Sequence, residues 1–126
     1  MIEQDVQSLI RLEGPSKGVR LFRNNVGVLI DKRGVPVRYG LANDTVKLNE
    51  KLKSADLIGW RRVMITPAMV GHVIAQFVSR ECKPTGWTPS REGTQLFAHE
   101  EAQREWARII NEDGGDAKFA TGVGTL

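Results

Sequence analysis

The chain has 126 residues, 40% of them hydrophobic and 26% charged, which suits a single domain over residues 1–126 with an apolar core. One cysteine excludes an internal disulfide and fits a reducing compartment, and one cysteine with two histidines is too few for a zinc-finger-type site. No apolar run is long enough to span a membrane and the acidic, amphipathic start MIEQDVQSLI differs from a secretory signal, so a cytoplasmic protein is expected, while a net charge of +3 allows a polyanionic partner without requiring one.

Residues 2–13 have the spacing of a helix: Ile2, Val6, Leu9, Ile10 and Leu12 recur at helical intervals and Gly14-Pro15 stops them. Glu3 and Gln7 lie one turn apart. A short strand follows from Val19 to Arg23. VGVLIDKRGVPVRYG alternates and turns at Lys32-Arg33-Gly34, the pattern of a hairpin, and Pro36 marks its second arm as an edge strand. Residues 42–55 are polar and fit an ordered loop or a short helix. Residues 56–60 form the next expected strand. Thr66-Pro67 offers an N-cap and a first-turn proline for a short helical turn. Residues 73–83 are the strongest strand candidate, PTGWTPSREG is a loop, and 95–112 is the longest helix. Its expected core stripe is Leu96, Ala102, Trp106 and Ile109 or Ile110, and Glu100 and Glu101 precede Arg104 and Arg108 in a favourable order for pairing. Gly114-Gly115 ends it and DAKFATG is a last strand. Helix, three to four strands, helix, strand predicts an α/β fold: a mixed β-sheet flanked by helices.

Basic residues crowd the first half, from Lys17, Arg20 and Arg23 through Lys53, Arg61 and Arg62, while acids concentrate late. That asymmetry suits a phosphate-facing surface as well as an ordinary solvated face. The segment RECKPT at 80–85 raises a sharper question. In a strand Glu81 and Lys83 share one face and Cys82 takes the other, expected to be the core. Two charges beside a core are costly unless partnered or used. Asp56 is expected on a strand neighbouring that of Glu81 and Lys83. Carboxylates converging there would need a hard divalent cation, Mg²⁺ or Mn²⁺. Phosphodiester hydrolysis uses such an ion to neutralise the phosphate and acidify water, and a nearby lysine orients that water or stabilises developing charge.

Asp followed by Glu-x-Lys is the degenerate signature of the PD-(D/E)xK nuclease superfamily. The flanks extend it: Glu3 with Val6-Gln7, RLFRNNVG at 20–27, VRYGL at 37–41, SADLIGW at 54–60, ITPAMVG at 65–71, ECK at 81–83, Gln103, then Gly114-Gly115. In that order they resemble a small stand-alone VRR-NUC domain, the virus-type replication-repair nuclease family, over nearly the whole chain. The resemblance implies a restriction-endonuclease-like fold and a metal-dependent, structure-selective DNA endonuclease for branched DNA such as four-way junctions. It implies Lys83, Asp56, Glu81 and Gln103 as catalytic residues, with Asp56, Glu81, the carbonyl of Cys82 and Glu3 around Mg²⁺ or Mn²⁺. It also implies a homodimer, a cytoplasmic setting (a host's, if viral) and a role in DNA repair.

The sequence departs from the family where PTGWTPSREGTQLFAHEEA separates the lysine from the late helix, which leaves Gln95 as an alternative to Gln103. Ala55 stands where a proline often precedes the aspartate, and 42–53 is longer than in compact members. Lys17, Arg20, Arg23 and Asn24 are candidate DNA contacts, though Arg23 and Asn25 could equally serve a turn. Trp87, in its loop, is a candidate for stacking on a base or meeting a second subunit. Trp60 and Trp106 are expected in the core, and His72 and His99 lack the spaced partners of metal ligands. Two alternatives remain: a non-catalytic DNA-binding or assembly module with a nuclease-like fold, and a nuclease for RNA or single strands.

Overall fold

The computed structural model of the chain describes residues 2–126 and divides into two compact units, residues 1–61 and 62–126. In the first, α1 (Glu3–Glu13) runs into a 3₁₀ turn (Gly14–Lys17) and β1 (Val19–Arg23). Then come β2 (Gly27–Ile30), β3 (Pro36–Tyr39), α2 (Val46–Lys51) and β4 (Leu57–Arg61). β1 and β4 pair antiparallel with Val19 opposite Arg61 and Arg23 opposite Leu57. β2 and β3 form the expected hairpin, Gly27 opposite Tyr39 and Ile30 opposite Pro36. Its turn is fastened by Asp31, whose carboxylate accepts the backbone N–H of Arg33 at 2.8 Å and of Val35 at 2.9 Å, while Gly34 supplies the positive φ of +80°. The Val35 amide, then the Arg33 side chain and amide, hold the Asp31 carboxyl below its ordinary range.

The polar stretch 42–55 is both of the things its composition allowed. Asn43 is 2% exposed. Its amide nitrogen donates to the carbonyls of Gly27 and Tyr39, each at 2.8 Å, and its side-chain oxygen accepts from Arg38 Nη2 at 2.6 Å. This satisfies a buried amide and ties the stretch to the hairpin. Thr45 then caps α2, its hydroxyl accepting the Leu48 N–H at 3.0 Å.

In the second unit a 3₁₀ turn (Pro67–Met69) precedes β5 (Val78–Cys82), α3 (Gln95–Glu112) and β6 (Asp116–Ala120). β5 and β6 are parallel, Val78 opposite Asp116 and Cys82 opposite Ala120, so β5, α3 and β6 make a strand–helix–strand crossover. α3 lies against β6 and seats Ile110, which is 0% exposed, beside the buried Ala117 and Ala120. Arg80 knits the ladder's start: it bonds Asp116 Oδ2 and the Asp116 carbonyl at 2.8 Å, and the Thr125 carbonyl at 2.6 Å.

The class is mixed α/β, as expected, but the single mixed sheet is replaced by three two-stranded ladders among the described residues, β1–β4, β2–β3 and β5–β6. Each strand has only four or five residues and each ladder stops where its partner stops. Thus the predicted strand over 73–83 shortens to Val78–Cys82, because β6 offers five residues; the pairing is prolonged one step each way by Asp116 N–H to Phe77 O and Lys83 N–H to Ala120 O, both 2.8 Å. Val73, expected in that strand, is fully exposed. Two other expectations change. Leu96 and Ala102 are exposed rather than part of the core stripe of α3, and Trp106 is at its margin. Arg108 pairs with Glu105 and Glu112, Arg104 pairs with Glu101, and Glu100 turns inward instead. No helix among the described residues is long and apolar enough to cross a membrane.

A lysine, a carboxylate and a bridging glutamine

Strand alternation and helix periodicity together build the polar cluster of the second unit. Ser79, Glu81 and Lys83 lie at every second position along β5 and its extension, so they share one face. Gln103 and Trp106 lie three apart on α3, also on one face. The two faces meet: Trp106 Nε1 donates to Ser79 Oγ at 3.0 Å, and one turn earlier Gln103 spans the other two side chains. Its amide nitrogen donates to Glu81 Oε1 at 2.6 Å, and its amide oxygen accepts from Lys83 Nζ at 2.8 Å. An amide has one donor end and one acceptor end, which a carboxylate and an ammonium satisfy together. Lys83 Nζ lies 3.8 Å from Glu81 Oε1, with the lysine side chain 14% exposed and the glutamate 42%. A pair that wet contributes about 1 kcal/mol or less. Stability alone therefore gives little reason to align three polar side chains along a helix-facing strand edge.

The surroundings of Lys83 are aromatic and acidic. Its Nζ is 5.6 Å from the Trp87 ring centroid and 5.7 Å from that of Phe119. Trp87, a candidate for stacking on a base or meeting a second subunit, is half-buried and lies on Phe119 with centroids 5.3 Å apart. Glu100 is 3% exposed and accepts the Ser90 N–H with both oxygens, at 2.9 and 3.3 Å. Hydrogen bonds from Ser90 hold its carboxyl below the ordinary range, helped by the nearby charges of Arg104 and Lys83. The Arg80 bond does the same for Asp116. A lowered carboxyl stabilises the fold in full above its unfolded value and loses that contribution as pH falls through its folded value. The chain is therefore expected to lose stability as pH drops below about 4, and Glu100→Gln to flatten that loss, checked by urea midpoints at pH 7 and 3.5.

Gln103, rather than Gln95 at the exposed first turn of α3, is the glutamine at the cluster. Cys82 follows the alternation but not the expected burial: its thiol is exposed, because α3 covers the opposite face of β5. His72 and His99 are exposed. Sequence reasoning missed Glu100, hidden among charged helix residues that looked like a solvated face.

In the first unit Asp56 immediately precedes β4 rather than lying within it. It borders an open polar cleft of about 490 Å³ with Asn24, Asn25, Val26, Tyr39 and Ser54. Asn24 holds this rim. Its amide nitrogen donates to Ser54 Oγ at 2.7 Å and the Ala55 carbonyl at 2.8 Å, its oxygen accepts the Leu41 N–H at 3.2 Å, and its backbone N–H reaches the Asp56 carbonyl at 2.9 Å. These bonds use the side chain as a loop clamp beside Asp56. Lys17, Arg20 and Arg23 are exposed, but alternation sets Arg20 and Arg23 on opposite faces of the β1–β4 ladder, so they do not make one basic stripe. Glu3 is exposed in the first turn of α1, with Gln7 one turn on and half-buried. Trp60 is half-buried with its ring 5.6 Å from that of Phe22. β4 is paired with β1 and β5 with β6, so the expected direct neighbouring of the Asp56 and Glu81 strands is not made by backbone pairing.

The donors expected as metal ligands, the carboxylates of Glu3, Asp56 and Glu81 and the carbonyl of Cys82, are all oxygens. Such a set suits a hard cation. Among the described residues no group of three or more His, Cys, Asp or Glu side chains gathers at one point. Compared with protein-family models, with curated proteins and with solved structures, the chain gives no match.

Proposed function

We propose that the chain is a divalent-metal-dependent, structure-selective DNA endonuclease of VRR-NUC type, with a restriction-endonuclease-like core and a branched-DNA substrate. The observation that carries the reading is the Gln103 amide joining Glu81 to Lys83, because it gives the weak Glu-x-Lys signature a third, separately placed member with matched hydrogen bonding. Lys83 presents a positioned ammonium for an attacking water or for charge developing on phosphate. Gln103 holds that ammonium and orients Glu81. The resemblance assigns Mg²⁺ or Mn²⁺ to Glu81, the Cys82 carbonyl, Asp56 and Glu3; the ion would supply charge neutralisation and an acidified water. Lys17, Arg20 and Arg23 remain the proposed phosphate contacts.

A homodimer belongs to the same proposal. Two-fold symmetry matches a four-way junction, and half-exposed apolar side chains on α1, among them Val6, Leu9 and Ile10, offer a surface for a second subunit. The proposed setting is the cytoplasm.

The test is cleavage of a labelled four-way junction beside a linear duplex of the same sequence. The protein is expected to cut the junction in Mg²⁺ or Mn²⁺, to prefer it over duplex, and to stop when EDTA removes the ion. Binding without cutting under either metal would instead favour a non-catalytic DNA-binding module, and preference for RNA or single strands would redirect the substrate but keep the chemistry.

A further inference from the structure

Residues 84–94 join β5 to α3, and they are the stretch where the sequence departs most from the family it resembles. Two independent contacts fix them. Trp87 lies on Phe119 of β6, and the Ser90 amide is gripped by the buried carboxylate of Glu100 on α3. Just ahead of the first anchor the chain turns tightly, Trp87 N–H reaching the Pro84 carbonyl at 3.0 Å with Gly86 at φ +82°.

The consequence falls on Lys83. Its ammonium stands within about 6 Å of two ring centroids, the distance at which ring faces attract cations. Rings offer no competing lone pair, and they displace water from that side. Among the described residues its hydrogen-bond acceptor is Gln103 Oε1, with Glu81 at 3.8 Å. Arg104, 5.9 Å from the Phe119 centroid and 5.7 Å from that of Phe97, extends the alternation of cation and ring. A buried carboxylate is costly unless well bonded, so Glu100 directed at a loop amide is a substantial anchor for an otherwise irregular segment.

We propose that residues 84–94 form a strap that positions Lys83, with Trp87 as the positioning residue and Glu100 as its anchor. The strap keeps the ammonium directed at Gln103 and Glu81 and limits its exposure. The catalytic consequence rests on the nuclease reading; the position of Lys83 does not, and is measured without it.

The experiment follows acetylation of Lys83 by an N-hydroxysuccinimide ester, read by peptide mass spectrometry, in the wild-type chain and in Trp87→Ala, Trp87→Phe and Glu100→Ala, with folding checked by circular dichroism. Single-turnover junction cleavage is measured in parallel. Trp87→Ala and Glu100→Ala are expected to label Lys83 about tenfold faster, the equivalent of ~1.4 kcal/mol, while Trp87→Phe stays near wild type. Cleavage at saturating DNA should fall by about the same factor in the two alanine variants with KM unchanged, as a residue acting through Lys83 rather than on DNA requires. Wild-type labelling in a folded Trp87→Ala chain overturns the strap, even if cleavage falls, because Trp87 would then act on DNA directly. If Trp87→Ala does not fold, Trp87→Leu, which keeps apolar bulk without a ring face, replaces it on the same criterion. If the wild-type chain cuts nothing, the nuclease reading fails and labelling alone decides the strap.

Discussion

Lys83→Ala and Asp56→Ala should each lower single-turnover cleavage of a four-way junction by about a thousandfold or more, within the range for loss of a proton-transfer group or of ion-assisted chemistry. Lys83 has the more direct structural argument. Its ammonium is bonded to Gln103 at 2.8 Å, it lies 5.6 and 5.7 Å from the Trp87 and Phe119 ring centroids, and its side chain is 14% exposed. Alanine removes the charge and the donor together. Arginine would keep the charge but place a planar fork where a compact ammonium sits, so Lys83→Arg should recover little. The effect on stability should be small by comparison, because the partner Glu81 is too exposed for the pair to contribute much. A large loss of rate with an almost unchanged urea midpoint is therefore the expected signature. Asp56 is exposed at the rim of its cleft, so its replacement should also leave the fold intact. If both variants cut like the wild-type chain, the proposed chemistry is wrong and Glu81–Lys83 is a local ion pair.

Ile110→Ala should produce the largest loss of stability, about 3 kcal/mol, measured by urea denaturation. Its side chain is fully buried, and the other buried apolar side chains are the small ones of Ala117 and Ala120. Truncation there removes the one large side chain among the fully buried described residues. Gly115→Ala tests the same spot from the opposite direction: a Cβ at Gly115 would overlap Ile110 Cγ2 and crowd the Phe77 carbonyl. Overpacking of that kind typically costs ~1–3 kcal/mol. Both changes act on the hinge between α3 and β6, and so on the register of the β5–β6 ladder that carries Glu81.

The elements themselves were legible because local signals agreed. Gly14-Pro15 stops α1, Thr94 caps α3 by accepting the Phe97 N–H at 3.1 Å, and Gly114 at φ +95° closes it. Period-two and period-3.6 patterns located β1, the hairpin and α3 within a residue or so. Strand alternation set Glu81 and Lys83 on one face, while Gln103 came only from the resemblance, with Gln95 left open beside it. What misled was burial. A run such as Val73 to Phe77 reads as strand from composition, yet a strand exists only where a partner supplies hydrogen bonds, and β6 supplies five residues. Cys82 was assigned to the core as the face opposite the charges and Leu96 by helical spacing, but α3 packs on the charged face of β5 and leaves Cys82 exposed.

By itself, then, the sequence determined the order of the main helices and strands and the side of β5 that carries the charges, since these follow from short-range periodicity and capping. The tertiary structure alone decided which polar groups became partners. Glu100 turns inward to Ser90, Asn24 clamps the rim around Asp56, Asn43 fastens the hairpin, and Trp87 settles on Phe119. These contacts join residues ten or more positions apart, or across an element boundary. Their identity depends on where each backbone comes to lie, and no local pattern of side chains encodes that.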